Sequence, residues 1–156
     1  MAYDLIVIGG GPAGYVAAIR AAQLGKKVAC VEMDRAGGTC LNWGCIPTKA
    51  LLKNAEVYQM LTHKAAEFGL KIEGLSYDWS AVIGRSRKVS DRLAGGIEYL
   101  LKKNGIDYVR GFGSIEGTGK VSVKAADGSS QLLETKDIFI ATGCKSRGLP
   151  PLPFNG

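Results

Sequence analysis

Apolar and polar positions along this chain change period several times, and each change marks an element. Residues 4–8, Asp-Leu-Ile-Val-Ile, are a short apolar run ending at glycines, the pattern of a strand buried on both faces. Val16, Ala17, Ile19 and Leu24 then recur at helical spacing, and Gly25 supplies a left-handed cap. Residues 27–31, Lys-Val-Ala-Cys-Val, repeat the strand pattern and lead into Glu32. A helix is predicted over 45–68 from Ala50, Leu51, Leu52, Ala55, Val57, Tyr58 and Leu61, with Gly69 ending it. A second long helix, 78–104, carries Val82, Val89, Leu93, Ile97, Leu100 and Leu101. Asp78 or Ser80 caps its start and Gly105 its end. Gly84, Gly95 and Gly96 weaken this helix, either to admit a second backbone or simply as a weak spot.

From Ile106 the period becomes alternating. Residues 106–110 read as a third parallel strand, followed by strand-like runs at 112–116, 120–126 and 131–135. Gly117-Thr118-Gly119 and Asp127-Gly128 separate these runs as hairpin turns, so an antiparallel meander is expected. Residues 138–141, Ile-Phe-Ile-Ala, read as a fourth buried strand running into Thr142-Gly143. The stretch 148–156 holds three of the five prolines and reads as a linker. The expected fold is a three-layer α/β, Rossmann-like domain over 1–147, with four parallel strands and a β-meander.

Composition changes this picture in two ways. Glycine, at 22 of 156 residues, is about double the usual ~7%, which points to tight turns and a backbone closely approached by a ligand. The net charge of +6 is spread along the chain, and the loose group Arg85, Arg87, Lys88 and Arg92 reads as a solvated helix face. No nucleic-acid partner is expected. No apolar run approaches the ~20 residues of a membrane span, so no membrane partner is expected either. The first residues, Met-Ala-Tyr-Asp, lack a basic leader and a cleavage site, which predicts a cytoplasmic, reducing setting.

Two motifs carry chemistry. Gly9-Gly10-Gly11-Pro12-Ala13-Gly14 fits G-x-G-x-x-G between a predicted strand and helix. Glu32 ends the next strand near the spacing of a ribose-binding carboxylate, so a dinucleotide with a free 2′-hydroxyl is expected. Both FAD and NAD offer one. The second motif runs from Gly37 to Lys49 and contains Cys40 and Cys45. Pro47 and the apolar run after it place Cys45 at a helix N-terminus, where free N–H groups and the macrodipole favour a thiolate. Lys49 at i+4 adds a positive charge on the same face. The pair could instead be half of a zinc site or two inert thiols. The other ligand candidates, Cys30, Cys144 and the lone His63, do not stand at zinc-finger spacing, so no metal is expected. His63 reads as an ordinary surface or core-edge side chain.

With these motifs in order, the chain resembles the flavin disulfide reductases from residue 3 to 156. Leu41-Asn42-Trp43-Gly44 between the cysteines and Ile46-Pro47 after them are most similar to the branch that oxidises dihydrolipoyl groups. Glutathione and mercuric reductases usually carry Val-Asn-Val and Val-Pro there. The resemblance implies bound FAD, held by Gly9, Gly11, Pro12, Ala13, Gly14, Glu32, Gly38, Thr39 and Cys40. Lys49 would sit near flavin N5, Gly113 by the adenine, and Ala141, Thr142 and Gly143 along the flavin or pyrophosphate. It implies Cys40 as the interchange thiol, Cys45 as the thiolate against the flavin, and a Cys40–Cys45 disulfide apart from Cys30 and Cys144. Cys144 departs from the small residue usual after Thr-Gly.

The resemblance further implies a lipoyl or other dithiol/disulfide substrate, NAD as electron acceptor and a homodimer for the full-length parent. The family's NAD domain, its later FAD-domain strand and its C-terminal His–Glu pair have no counterpart here, so the chain looks like the N-terminal part of a longer enzyme without turnover alone. A glutathione- or mercuric-type reductase, or a non-catalytic FAD-binding module, are the alternatives.

Overall fold

A computed structural model of the chain describes residues 2–151. In order it contains β1 (Tyr3–Ile8), α1 (Pro12–Gln23), β2 (Val28–Glu32), α2 (Gly38–Asn42), α3 (Cys45–His63), a 3₁₀ turn (Ala65–Phe68) and α4 (Trp79–Lys103). Strands β3 (Asp107–Arg110), β4 (Phe112–Gly117), β5 (Lys120–Lys124) and β6 (Ser130–Ile140) complete it. The sheet order is β3-β2-β1-β6-β5-β4. β1 runs parallel to both its neighbours, with Ile8 opposite Val31 of β2 and Ile140 of β6. β3 is parallel to β2, giving the expected four parallel strands. The chain order reverses between β1 and β6, and a ligand crevice forms at such a switch point.

Alternation along the central strands sends side chains to two different partners. Val7, Val28 and Cys30 face the helices and pack with Ala18 of α1 and Ile97 and Leu101 of α4. Ile6, Ile8, Ala29 and Val31 face the other way, onto Val121 and Val123 of β5. Each such aliphatic side chain fully buried contributes ~1.5–3 kcal/mol, so both coverings are needed to hold an apolar parallel sheet in water.

The caps follow the sequence. Asp78 accepts from the N–H groups of Ser80 and Ala81 at the start of α4. Beyond its end Gly105 takes φ +68°, and Ile106 N–H donates to the Leu101 carbonyl. A Cβ on Gly84, Gly95 or Gly96 would meet nothing within 4 Å, so no close packing in this chain requires these glycines.

Three expectations need correction. The runs 131–135 and 138–141 are one 11-residue strand, β6, whose first half pairs antiparallel with β5 and whose second half pairs parallel with β1. The fourth parallel strand is not buried throughout, because β5 pairs it only from Ser130 to Glu134, and Phe139 and Ile140 are 41% and 63% exposed. The helix expected to 68 stops at His63 and tightens into the 3₁₀ turn, with Gly69 in the left-handed region. Between Tyr58 and His63 only Leu61 is half-buried, so little packing sustains the helix there. Of the proposed linker 148–156, residues 152–156 lie outside the described residues.

Cys30 is fully buried in β2, and burial first, then the Glu32 charge, pushes its thiol up to about 12 from 9.0. Burial and the same charge push Tyr108 up to about 12 from 10.0. An unfolded chain loses these protons at the ordinary values while the folded chain keeps them. Stability contributed by both groups is therefore intact below pH 9 and drains away above it. The urea midpoint should fall between pH 9 and pH 11. Cys30→Ala should remove the part of that fall that begins first. An identical pH profile in the variant would refute this assignment.

Candidate active site: a disulfide beside a glycine loop

The glycine loop is dictated by backbone crowding at the C-terminal end of β1. Gly9 takes φ +107° and donates its N–H to the Val31 carbonyl at 2.7 Å. A Cβ on Gly9 would overlap the Ala141 carbonyl oxygen, and one on Gly14 would overlap the Gly9 carbonyl oxygen. Gly14 thus lets the first turn of α1 lie against the loop. Gly11 caps that helix and Pro12 opens it at a position where a missing N–H costs nothing. The N–H groups of Ala13 and Gly14, in the first turn of α1, have no intrahelical carbonyl to donate to, an anion-binding arrangement.

Glu32 is 8% exposed, and its two oxygens are both engaged. Oε2 accepts from Gly10 N–H at 2.6 Å and Oε1 from Asp34 N–H at 2.8 Å. The carboxylate therefore pins the glycine loop to the end of β2, a structural task the spacing rule did not anticipate. Each oxygen keeps a further acceptor position for a hydroxyl.

Cys40 and Cys45 form a disulfide with Cα atoms 4.7 Å apart, while Cys30 and Cys144 are free, buried and exposed respectively. Cys40 lies within α2, and Cys45 is the first residue of α3 after Gly44. Cys45 is exposed and Cys40 half-buried. The site is tied to the glycine loop at the start of α2, where a Cβ on Gly38 would stand 2.7 Å from the Gly11 Cα. Gly37 N–H also donates to the Gly10 carbonyl at 2.8 Å.

Between the cysteines, Asn42 is 1% exposed, and its Nδ2 donates to the Ala36 and Gly38 carbonyls, each at 3.0 Å. Helix α4 reaches this layer twice. Arg87 donates to the Asn42 carbonyl at 2.9 Å, and Arg85 to the Ala50 carbonyl at 3.1 Å.

The other expected site residues are more scattered. Ala141 N–H donates to the Ile8 carbonyl at 2.8 Å, which brings the end of β6 onto the loop, with Thr142 and Gly143 exposed just beyond. Thr39 and Lys49 are exposed on α2 and α3. Gly113 lies on the meander side, where a Cβ would press on Ile8 at 3.1 Å and Val31 at 3.2 Å, a packing reason for glycine there. Near it a cleft of about 460 Å³ is lined by Met33, Asp34, Gly111, Phe112 and Lys124 among others. His63 is exposed at the end of α3.

A bridged dithiol abutting a dinucleotide-type loop matches what comparison with known proteins finds. Residues 3–156 match the family described as pyridine nucleotide-disulphide oxidoreductase. The chain belongs to that family. It is 50% identical over 154 residues to the dihydrolipoyl dehydrogenase of Zymomonas mobilis, covering 99% of this chain and 33% of that protein. It is 46% identical over 162 residues to the Bacillus subtilis dihydrolipoyl dehydrogenase, with 99% and 34% coverage. To the mitochondrial dihydrolipoyl dehydrogenase of Pisum sativum it is 45% identical over 148 residues, with 94% and 30% coverage. The chain thus spans about a third of the length of these pyridine nucleotide-disulphide oxidoreductases.

Sequence reasoning missed three site residues of this family member: Gly10, whose N–H binds Glu32; Asn42, the buried bolt; and Arg87. The adjacent Gly37-Gly38 pair, both at positive φ, was the available signal for the turn into α2. Nothing local marks Arg87, which acts across 45 residues of chain.

Two measurements check this geometry. Thiol titration of the unfolded chain should gain two thiols on prior reduction, and equal counts with and without reductant would refute the pairing. Gly14→Ala, which must displace the Gly9 carbonyl, should cost at least ~1–3 kcal/mol by urea unfolding. An unchanged midpoint would show that the loop is not crowded as described.

Proposed function

We propose that this chain is the FAD-binding, dithiol-bearing part of an enzyme of the dihydrolipoyl dehydrogenase type, which passes electrons from a dihydrolipoyl group to NAD. The observation that supports it best is the Cys40–Cys45 disulfide joining α2 to α3, with Gly38 at the start of α2 seated on Gly11 of the glycine loop. The residues fit a dinucleotide: two glycine-walled approaches, free N–H groups at the start of α1, and a carboxylate with acceptor positions to spare. Gly9, Gly11, Pro12, Ala13 and Gly14 would hold the pyrophosphate side, and Glu32 a ribose hydroxyl. Gly38, Thr39, Cys40, Lys49, Ala141, Thr142 and Gly143 would border the flavin, with Gly113 toward the adenine. FAD, when bound, supplies a two-electron acceptor for the reduced dithiol.

The chain's own residues perform the exchange. One thiolate of the dihydrolipoyl group attacks Cys40 Sγ, the Cys40–Cys45 bond breaks, and Cys45 leaves as a thiolate. The N-terminus of α3 favours that charge at Cys45, and Lys49 one turn on adds a cation. The second substrate sulfur then displaces Cys40, which closes the lipoyl disulfide and leaves both cysteines reduced. Two electrons have moved from substrate to protein. The exposed side of Cys45 fits a surface that a flavin covers. A reducing, cytoplasmic setting and a homodimeric full-length protein belong to this proposal, since a cycling dithiol needs a compartment that does not hold it oxidised.

The test is a melting curve of the 156-residue chain with and without FAD, beside an NADH-linked lipoamide assay on the chain and on the longer protein. FAD at ~100 times its dissociation constant should stabilise the chain by ~2.7 kcal/mol, with turnover confined to the longer protein. No FAD-dependent shift, or a longer protein that reduces glutathione disulfide in preference to lipoamide, would overturn the assignment.

A further inference from the structure

Helix α4 makes two guanidinium-to-carbonyl bonds to the dithiol layer, and they differ in where they land. Arg85 reaches Ala50, five residues beyond Cys45 and inside the regular part of α3. Arg87 reaches the carbonyl of Asn42, the last residue of α2, inside the loop that the disulfide closes. A carbonyl at a helix C-terminus has no intrahelical donor, and a guanidinium there answers both the missing hydrogen bond and the negative end of the helix. The same guanidinium lies 5.7 Å from the centre of the Trp43 ring, within range of a cation–π contact. Trp43 is held on its other side by Nε1–H donation to Asp34 at 3.2 Å. Asn42 itself is fastened by its side chain to Ala36 and Gly38. Residues 42 and 43, midway between the cysteines, are thus fixed from three directions, and Arg87 is the only one of these anchors that comes from α4.

We infer that Arg87 is a positioning residue for disulfide exchange at Cys40–Cys45. Its grip on Asn42 and Trp43 keeps the inter-cysteine segment in the closed conformation when the sulfurs are reduced. The two thiols then stay at high effective concentration, and the disulfide is favoured over the dithiol. Without Arg87 the segment relaxes after reduction, the thiols separate, and re-closure becomes less favourable. The inference rests on the exchange role proposed above, and its experiment separates the two.

The Cys40–Cys45 couple of the full 156-residue chain is equilibrated against defined ratios of reduced and oxidised dithiothreitol, and the reduced fraction is counted by alkylation and mass. Arg87→Ala and Arg87→Met are compared with Arg85→Met, which removes the other α4-to-carbonyl bond. Met fills similar space with no donor, so it carries the test where the alanine variant fails to fold. Both Arg87 variants should lower the disulfide-forming equilibrium constant about tenfold, ~30 mV for a two-electron couple. Arg85→Met should stay within about twofold of the unaltered chain. With Trp79→Phe leaving Trp43 as the sole tryptophan, the fluorescence anisotropy of Trp43 in the reduced form should fall in Arg87→Met and hold in Arg85→Met. Equal shifts at Arg85 and Arg87, or none at Arg87, would overturn the inference and leave the exchange role standing. An unaltered chain whose cysteines do not cycle reversibly would overturn both.

Discussion

The structure depends on a steric constraint at the C-terminal end of β1, where backbone meets backbone more closely than any side chain permits. Gly9 lies under the Ala141 carbonyl, Gly14 under the Gly9 carbonyl, and Gly38 against the Gly11 Cα. Each contact recruits a different element. The first holds the end of β6 beside β1, the second sets the start of α1, and the third seats α2. Glu32 completes the arrangement by taking the Gly10 N–H into a carboxylate that also holds Asp34. Four elements are thereby fixed around one point, with the free N–H groups of α1 beside it. The dithiol acquires its location from the third contact: Gly38 begins α2, Cys40 is two residues on, and Cys45 follows at the head of α3.

Much of this was legible because the signals are local. The glycine pattern needs only the positions of Gly9, Gly11 and Gly14 relative to a strand and a helix. The pairing of β1 with β2 follows from two short apolar runs joined by a capped helix. The caps at Asp78, Gly25 and Gly105 work through bonds spanning a few residues. What was illegible is non-local or depends on a competition. Sequence alone could not tell that 131–135 and 138–141 share one strand, because Lys136 and Asp137 between them look like a break. They are tolerated because both are exposed where β6 passes from β5 to β1. The exposure of Phe139 and Ile140 was likewise hidden, since an apolar run does not say how much of it other strands cover.

The site divides along the same line. The site's location beside the glycine loop was readable from residue type and spacing, at Cys40, Cys45 and Glu32. Its mechanical support was not. Asn42 looks like a turn residue in the sequence, yet it is buried and bonded to two carbonyls upstream. The resemblance implies Gly113 beside an adenine, and the nearest potential clashes of a Cβ there are Ile8 and Val31 of the sheet. A glycine can serve a ligand and the packing at once, and spacing does not separate the two.

The contrast between the buried free Cys30 and the bridged pair has a physical basis in their surroundings. Cys30 points into the helix-facing core, fully buried, where desolvation holds it as a neutral thiol far above physiological pH. A neutral thiol is neither a nucleophile nor a good leaving group, so a thiol held there is poor at disulfide exchange. Cys40 and Cys45 instead occupy a short helix and the first position of a long one, half-buried and exposed respectively. The fold therefore sorts these three chemically identical side chains by environment. A strand interior encloses Cys30, the first position of α3 leaves Cys45 exposed, and a glycine-seated helix of five residues brings Cys40 within bonding reach of it. The glycine-crowded loop that would receive a dinucleotide and the helix that carries Cys40 are one piece of backbone geometry, so a change that relaxes either must move the other.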